Sequence, residues 1–306
     1  MECYGVYAFL DSTFSVAASI VFGISAVITA FWNTFCLAVL WQHSQRSKSN
    51  KILTSLALSD CLVGCISFPL GSWLVGNGYE MNKQRCIVEK IFITNNLWMV
   101  GSSICSLTFV AYDRYLHITK STTYDDILSD RKVILLIAFY WTVTGLLAIG
   151  SAFNAPMYNT IAAIYVLVAL VWMSVSYYHI WKAVRQSQTR IAANVVGNRG
   201  ELRKDIRLAK KVSILITLYI VTLIPLMILL LFKMFHGVKL FHLSEFKGYF
   251  ILITGYCALF NSCLNPFVII WKDPDFRRAC KKILRRNKLT SALFLKTNVV
   301  SPSPNA

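Results

Sequence analysis

The sequence predicts an all-α membrane protein, a bundle of seven transmembrane helices, and three observations carry that prediction. First, residues of the AVILMFWYC set make up 56% of the 306 residues, charged residues only 15%, and mean hydropathy is +0.55. A water-facing globule needs about a quarter of its residues charged, so lipid must be the solvent. Second, stretches free of Asp, Glu, Lys and Arg recur at the length of about 20 residues that a helix needs to cross a bilayer. Third, 31 Lys+Arg against 14 Asp+Glu give a net charge of +17, and the basic residues gather in alternate connections. On a soluble chain that excess would point to nucleic acid. Here it marks one membrane face, and no nucleic-acid partner is expected.

The spans follow in order. Ser12–Gln45 is free of charge and predicts a first span over about 13–42. Ile52–Gly76 is apolar apart from Asp60 and predicts a second over 51–76. Ile91–Tyr112 anchors a third over 88–119. The run Val133–Trp181 has 49 uncharged residues, too long for one crossing. Asn154–Asn159 interrupts it, and Pro156 is a natural helix break, giving spans over 132–153 and 157–186. Val212–Phe232 predicts a sixth over 205–234, and Gly248–Trp271 a seventh over 246–271. Strand-type alternation is absent, which argues against a β-barrel.

Seven spans place the two termini on opposite sides, and basic residues favour the cytoplasm. The 43–51, 115–132 and 182–211 connections and the segment from Lys272 onward carry 24 Lys/Arg; the other side carries six. Residues 1–12 are therefore expected outside and the C-terminus inside. The first apolar run is too long for a signal-peptide core and reads as a signal-anchor. Cys36, Cys61, Cys65, Cys105, Cys257 and Cys263 fall in spans and read as small packing residues. Cys3 and Cys86 face the oxidising side, a candidate disulfide pair. Cys280 is cytoplasmic.

Polar groups in hydrocarbon are costly and need a partner or a task. Asp60 sits midway along the second span, Ser103 lies in the third, and Asn261 and Asn265 lie one turn apart in the seventh. Together they describe one small polar cavity. A carboxylate with neutral oxygens suits a monovalent cation; a buried hydrogen-bond network suits the same residues. Asn96, Ser103 and Arg114 are spaced at whole numbers of turns and so share one face of the third span. Arg114 needs a carboxylate, and Asp113 and Asp205 are both placed to supply it. A pair from Arg114 to Asp205 would join the ends of spans three and six, and breaking it would open a cleft. Pro225 and Pro266 sit inside spans six and seven, where each must kink its helix.

These features, in this order, resemble a class A (rhodopsin-like) G-protein-coupled receptor over nearly the whole chain. Asn33 fits the polar residue of the family's first span, and Leu56-Ala-Leu-Ser-Asp60 its second-span LAxxD motif. Asp113-Arg114-Tyr115 is an intact DRY motif, with Tyr124 matching the tyrosine of the loop that follows. Trp141, Tyr177 and Pro225 fit the landmarks of spans four, five and six, and Asn265-Pro266 begins the NPxxY motif. Asp273–Arg278 looks like the start of the family's short amphipathic helix, here over 273–286. It is followed by a tail over 287–306 whose Ser/Pro composition reads as disordered.

The resemblance implies a plasma-membrane receptor that passes an extracellular ligand's signal to a heterotrimeric G protein. It implies coupling and activation roles for Asp113, Arg114, Tyr115, Tyr177, Asp205, Pro225, Asn265 and Pro266. It makes Asp60, Ser103, Asn261 and Asn265 a sodium pocket, with no other cofactor, and Cys280 a palmitoylation site against the inner lipid leaflet. Projected onto this chain, the family's ligand pocket falls on Asn96, Leu97, Val100, Tyr165, Leu226, Met227, Leu230, Ile251 and Gly255, with Leu70 and Ile161 beside them. Asn96 stands where amine receptors carry an aspartate, and Leu259 where opsins carry the retinal lysine. A neutral, lipid-like or peptide ligand is therefore favoured over an amine or retinal.

The departures concern switching. The NPxxY tyrosine is replaced by Ile269, the sixth-span tryptophan by Leu223, and the fifth-span proline by Ala169. Glu89 stands where the family keeps its third-span cysteine. The second extracellular loop is only a few residues long and lacks cysteine, so the family's usual disulfide cannot form. Ser121 and Thr122 replace the usual proline and bulky apolar residue of the second intracellular loop. The short loop and missing proline are similar to the melanocortin, adenosine and lipid receptor cluster. The alternative function is a decoy or scaffold of the same fold that does not signal. No nucleophile–base pair or metal spacing suggests an enzyme.

Overall fold

The computed structural model describes residues 10–44, 48–77, 82–120, 122–151, 153, 155–192, 199–240 and 245–272. Its long helices are α1 (Ser12–Ser44), α4 (Lys83–Thr119), α6 (Asp130–Ser151), α7 (Ala155–Ala192), α8 (Arg199–Leu240) and α9 (Glu245–Lys272). The second span is composite: α2 (Lys48–Leu62), a π-helical turn (Val63–Ser67) and α3 (Phe68–Gly76). One short helix, α5 (Tyr124–Ile127), lies between α4 and α6. The amphipathic segment 273–286, with Cys280, and the tail lie outside the described residues.

Six of the seven spans are long and apolar enough to cross a membrane by composition. The remaining one, α4, runs 37 residues, about 55 Å at 1.5 Å per residue, but carries Ser102, Ser103 and Ser106, all buried. Its low hydropathy follows from its place in the middle. It packs against α2, α6, α7, α8 and α9, so its polar residues meet protein rather than lipid. It also contributes to both large apolar clusters. Ile104, Leu107 and Val110 pack with Leu56, Met173, Ile216 and Leu223; Phe92 and Met99 pack with Phe22, Phe68, Leu74 and Leu259.

The outward faces are apolar. Val27, Phe31, Leu135, Phe139, Val168 and Val221 are all more than half exposed. Such faces cannot sit in water, and the chain is a multi-pass membrane protein. Cys65 belongs to this outer surface, whereas Cys36 and Cys263 are buried packing residues.

Pro156, expected in the turn between spans four and five, instead opens α7 as its second residue. A proline is tolerated there because a first-turn N–H has no intrahelical acceptor to lose. The π turn has a related cause. Pro69 has no N–H to give to the Cys65 carbonyl four residues earlier, and its ring would crowd that oxygen. The chain widens just before it, and the Phe68 N–H bonds five residues back to Val63.

The same turn holds Gly64 against α1. A Cβ at Gly64 would lie 2.5 Å from the Ala30 nitrogen and 2.9 Å from its Cα. Both are backbone atoms that cannot rotate away. Gly64→Ala should therefore destabilise the fold by about 1–3 kcal/mol, the scale of overpacking. A lower thermal midpoint in detergent would report it, and an unchanged midpoint would contradict the contact.

Candidate functional site

Two buried polar clusters lie in the bundle, between apolar packing. The first lies at the end of α4. Asp113 is fully buried and Arg114 is 6% exposed. The Arg114 Nε donates to Asp113 Oδ2 at 2.8 Å, and a terminal nitrogen makes a second contact with the same oxygen. Ser49 of α2 donates to Oδ2 at 2.6 Å, and Tyr124 of α5 donates to Oδ1 at 2.5 Å. Burial, then the Asp113 carboxylate, holds the Tyr124 phenol far above its ordinary range, so it stays a donor at every working pH.

The Lys48 ammonium lies 4.5 Å from the Tyr124 ring centre and pairs with Asp125. Lys51 pairs with Asp130 at 2.7 Å, which lowers the Asp130 carboxyl below its usual range. The start of α2 thus straps the α5 turn against Asp113. The side chain of Asp205, the second carboxylate considered for Arg114, lies outside the described residues. Tyr115 meets the His179 ring at 5.7 Å, while Tyr177 is 38% exposed on the outer side of α7.

The second cluster surrounds Asp60, which is fully buried. Its Oδ1 accepts from Ser103 of α4 at 3.3 Å and from Ser262 of α9 at 2.7 Å; its Oδ2 accepts from Asn265 Nδ2 at 2.7 Å. Buried polar atoms are left over. Asn265 Oδ1 and both polar atoms of Asn261 have no hydrogen-bond partner. The orphaned Asn265 Oδ1, on a side chain that bonds a buried carboxylate with only neutral donors, suits a small cation, so the residues present fit the sodium reading. Asn33 fastens the rim, donating to the Ser262 carbonyl at 2.9 Å.

Ser262 and Ser49 were not among the predicted site residues. Serine is common in membrane helices, but spacing held a signal for both. Ser262 lies three residues before Asn265, and Ser49 lies eleven, three turns, before Asp60.

The projected ligand pocket divides in two. Leu97 and Leu226 pack with Ala163, Val166, Met227 and Leu230 in a closed apolar cluster. The Tyr165 hydroxyl is taken up by the Gly101 carbonyl at 2.7 Å. Asn96 keeps a buried Oδ1 with no partner. Val100 packs on both large clusters. On the α9 side, Ile251 is half-buried, and a Cβ at Gly255 would meet nothing within 4 Å. Pro225 and Pro266 lie inside α8 and α9, Leu223 is fully buried in the main core, and the side chain of Ile269 lies outside the described residues. Cys86 forms a disulfide; Cys3, its expected partner, lies outside the described residues.

This arrangement agrees with the comparisons. The family described as 7 transmembrane receptor (rhodopsin family) matches residues 32–159 and 150–268. The chain is 24% identical to the chicken adenosine receptor A2b, covering 86% of each. It is 25% identical to the chicken melatonin receptor type 1C, over 85% of this chain and 79% of that one. It is 23% identical to the rat trace amine-associated receptor 8b, over 90% and 89%. These relatives are receptors, not enzymes. Their identities differ by so little that they single out no one ligand class. With seven spans, a buried arginine–aspartate pair at the end of the third and a match over most of its length, the chain belongs to the rhodopsin family of seven-transmembrane receptors.

Proposed function

We propose that this receptor sits in the plasma membrane with its N-terminus outside, and signals to a heterotrimeric G protein when Arg114 leaves Asp113. The observation that carries the reading is the buried pair itself. Arg114 is closed off from water, and its carboxylate partner is also held by Ser49 and Tyr124. Those two hydroxyls would keep Asp113 satisfied after the arginine departs, which lowers the cost of opening. Tyr115 adjoins the pair on α4, Tyr177 and Asp205 take the coupling roles that their places in the family pattern imply, and Pro225 and Pro266 let helix ends move. A ligand acts by binding the open bundle more tightly than the closed one.

The projected pocket residues, apolar apart from Asn96 and Tyr165, support a neutral, largely apolar ligand with one hydrogen-bond donor for Asn96 Oδ1. Asp60, Ser103, Asn261 and Asn265, joined by Ser262, would hold sodium. That ion would neutralise the buried carboxylate and add a cross-link between helices. The reading is tested by guanine-nucleotide exchange in membranes at matched surface expression. Arg114→Ala should abolish receptor-dependent exchange, and Asp205→Ala should raise it several-fold if that carboxylate also restrains the arginine. Exchange in the parent no faster than in empty membranes, or untouched by Arg114→Ala, would overturn the coupling role.

A further inference from the structure

At the end of the bundle opposite Arg114, the chain enters α1 through Leu10 and Asp11. Leu10 precedes the helix, yet it is 2% exposed. It belongs to the apolar cluster that holds Phe68 and Leu74 of the second span, Phe92 and Met99 of α4 and Leu252 of α9. Val100, on which the projected ligand pocket falls, and Leu70 beside it pack against the same cluster. Two contacts fix the entry to α9. The Asp11 N–H donates to the Tyr249 hydroxyl at 3.1 Å, and the Phe14 ring meets the Tyr249 ring edge-on at 4.6 Å. The Asp11 carboxylate caps α1, its Oδ2 accepting from the Thr13 and Phe14 N–H groups at 2.9 and 3.3 Å. An apolar residue just before such a cap commonly packs on the fourth residue of its own helix. That residue here is Ser15, and the leucine reaches across to the other helices instead.

We propose that the place Leu10 fills is a ligand subsite for a branched aliphatic group, occupied in the resting receptor by the chain's own leucine. The subsite's walls are apolar, so an aliphatic group gains by entering and a charged one does not. Asn96 lies one turn from Phe92 and one from Met99, which puts the donor for its Oδ1 and the aliphatic end on one ligand. The seated leucine keeps the Asp11 N–H on Tyr249, and this tie is made in the bundle whose Arg114–Asp113 pair is intact. It therefore weights the receptor towards the closed form. An agonist takes the subsite, puts Leu10 out and breaks the tie; that last step rests on the signalling reading above.

The test uses the full-length receptor in lipid nanodiscs, with a fluorescent amino acid at Lys210, an exposed position on α8. Without ligand, Leu10→Ala should raise the open-to-closed ratio about fivefold, a small part of what truncating a buried leucine costs. Leu10→Met, of similar volume, should stay with the parent. Tyr249→Phe keeps the ring but loses the acceptor; it should open the receptor too, and add nothing to Leu10→Ala. Asp11→Ala removes only the cap, so it should lower the thermal midpoint and leave the probe unmoved. A silent Leu10→Ala, or equal opening by Asp11→Ala, would overturn the proposal.

A second arm reads the subsite itself. Emptied apolar cavities take up small apolar molecules, so 3-methylbutan-1-ol should raise the thermal midpoint of Leu10→Ala and not that of the parent. The probe should stay open, because the alcohol fills the space without restoring the tie to Tyr249. Equal effects on parent and variant would mean that the alcohol acts through the bilayer, and the subsite would fall. Nucleotide exchange separates this proposal from the coupling reading. A probe that opens in Leu10→Ala without any gain in exchange would remove the coupling and leave the subsite standing.

Discussion

Replacing Asp113 by asparagine should raise ligand-free nucleotide exchange at least about tenfold. The carboxylate is fully buried and receives Arg114, Ser49 and Tyr124. Asparagine removes the charge and turns one acceptor into a donor that faces other donors. In the closed form Arg114 would then be a buried cation without its counter-ion, and breaking such a pair costs about 3–5 kcal/mol. The open form regains water around the guanidinium and escapes most of that cost. Each 1.4 kcal/mol of difference is tenfold in the ratio of forms. Nucleotide exchange at matched surface expression reads it. A rate at or below the parent's would mean that the pair does not restrain opening. Tyr124→Phe removes only one neutral donor and should move the rate far less.

Asp60→Asn should erase the dependence of stability on sodium. The parent's thermal midpoint should climb with sodium chloride and not with choline chloride. At a hundred times its dissociation constant, a ligand that binds only the folded form contributes about 2.7 kcal/mol, a rise of several degrees on a chain this size. Asparagine keeps an acceptor for Ser262 and Ser103 but has no charge to attract a cation. The variant should therefore give a flat curve. Its own midpoint in choline chloride should equal or exceed the parent's, because an unneutralised buried carboxylate is itself a burden. Equal sodium curves for the two would mean that the cluster is a hydrogen-bond network and not an ion site.

The seven-helix class was legible because a bilayer demands unbroken apolar length, and that demand shows as charge-free runs. The centre of the bundle is where hydropathy fails. The third span, α4, is surrounded by protein, so serines and asparagines cost it little, and its sequence looks less like a membrane helix than its neighbours do. At the site, Asp60, Asn265 and Arg114 stood out because charge and amide groups are rare in lipid. Ser49 and Ser262 did not, since serines are ubiquitous in membrane helices and most of them bond locally. Only spacing against the conspicuous residues could have selected them. The partner of Arg114 was also open: Asp113 and Asp205 are equally charged, and geometry alone shows Asp113 in contact.

The π turn at Val63–Ser67 has a consequence for how this sequence tolerates length changes. Closing a ring over five residues instead of four amounts to one residue inserted into a regular helix and absorbed in place. Everything beyond it, from Phe68 to Gly76, is turned by about 100° relative to an unbroken α-helix, since 3.6 residues make a full circle. Deleting one residue here would restore ideal winding while swinging Phe68, Leu74 and Val75 out of the core they now fill. Insertions and deletions are usually banished to loops. At this point of the second span a single-residue change in length would leave the membrane crossing intact and re-aim the apolar side chains that pack the upper core.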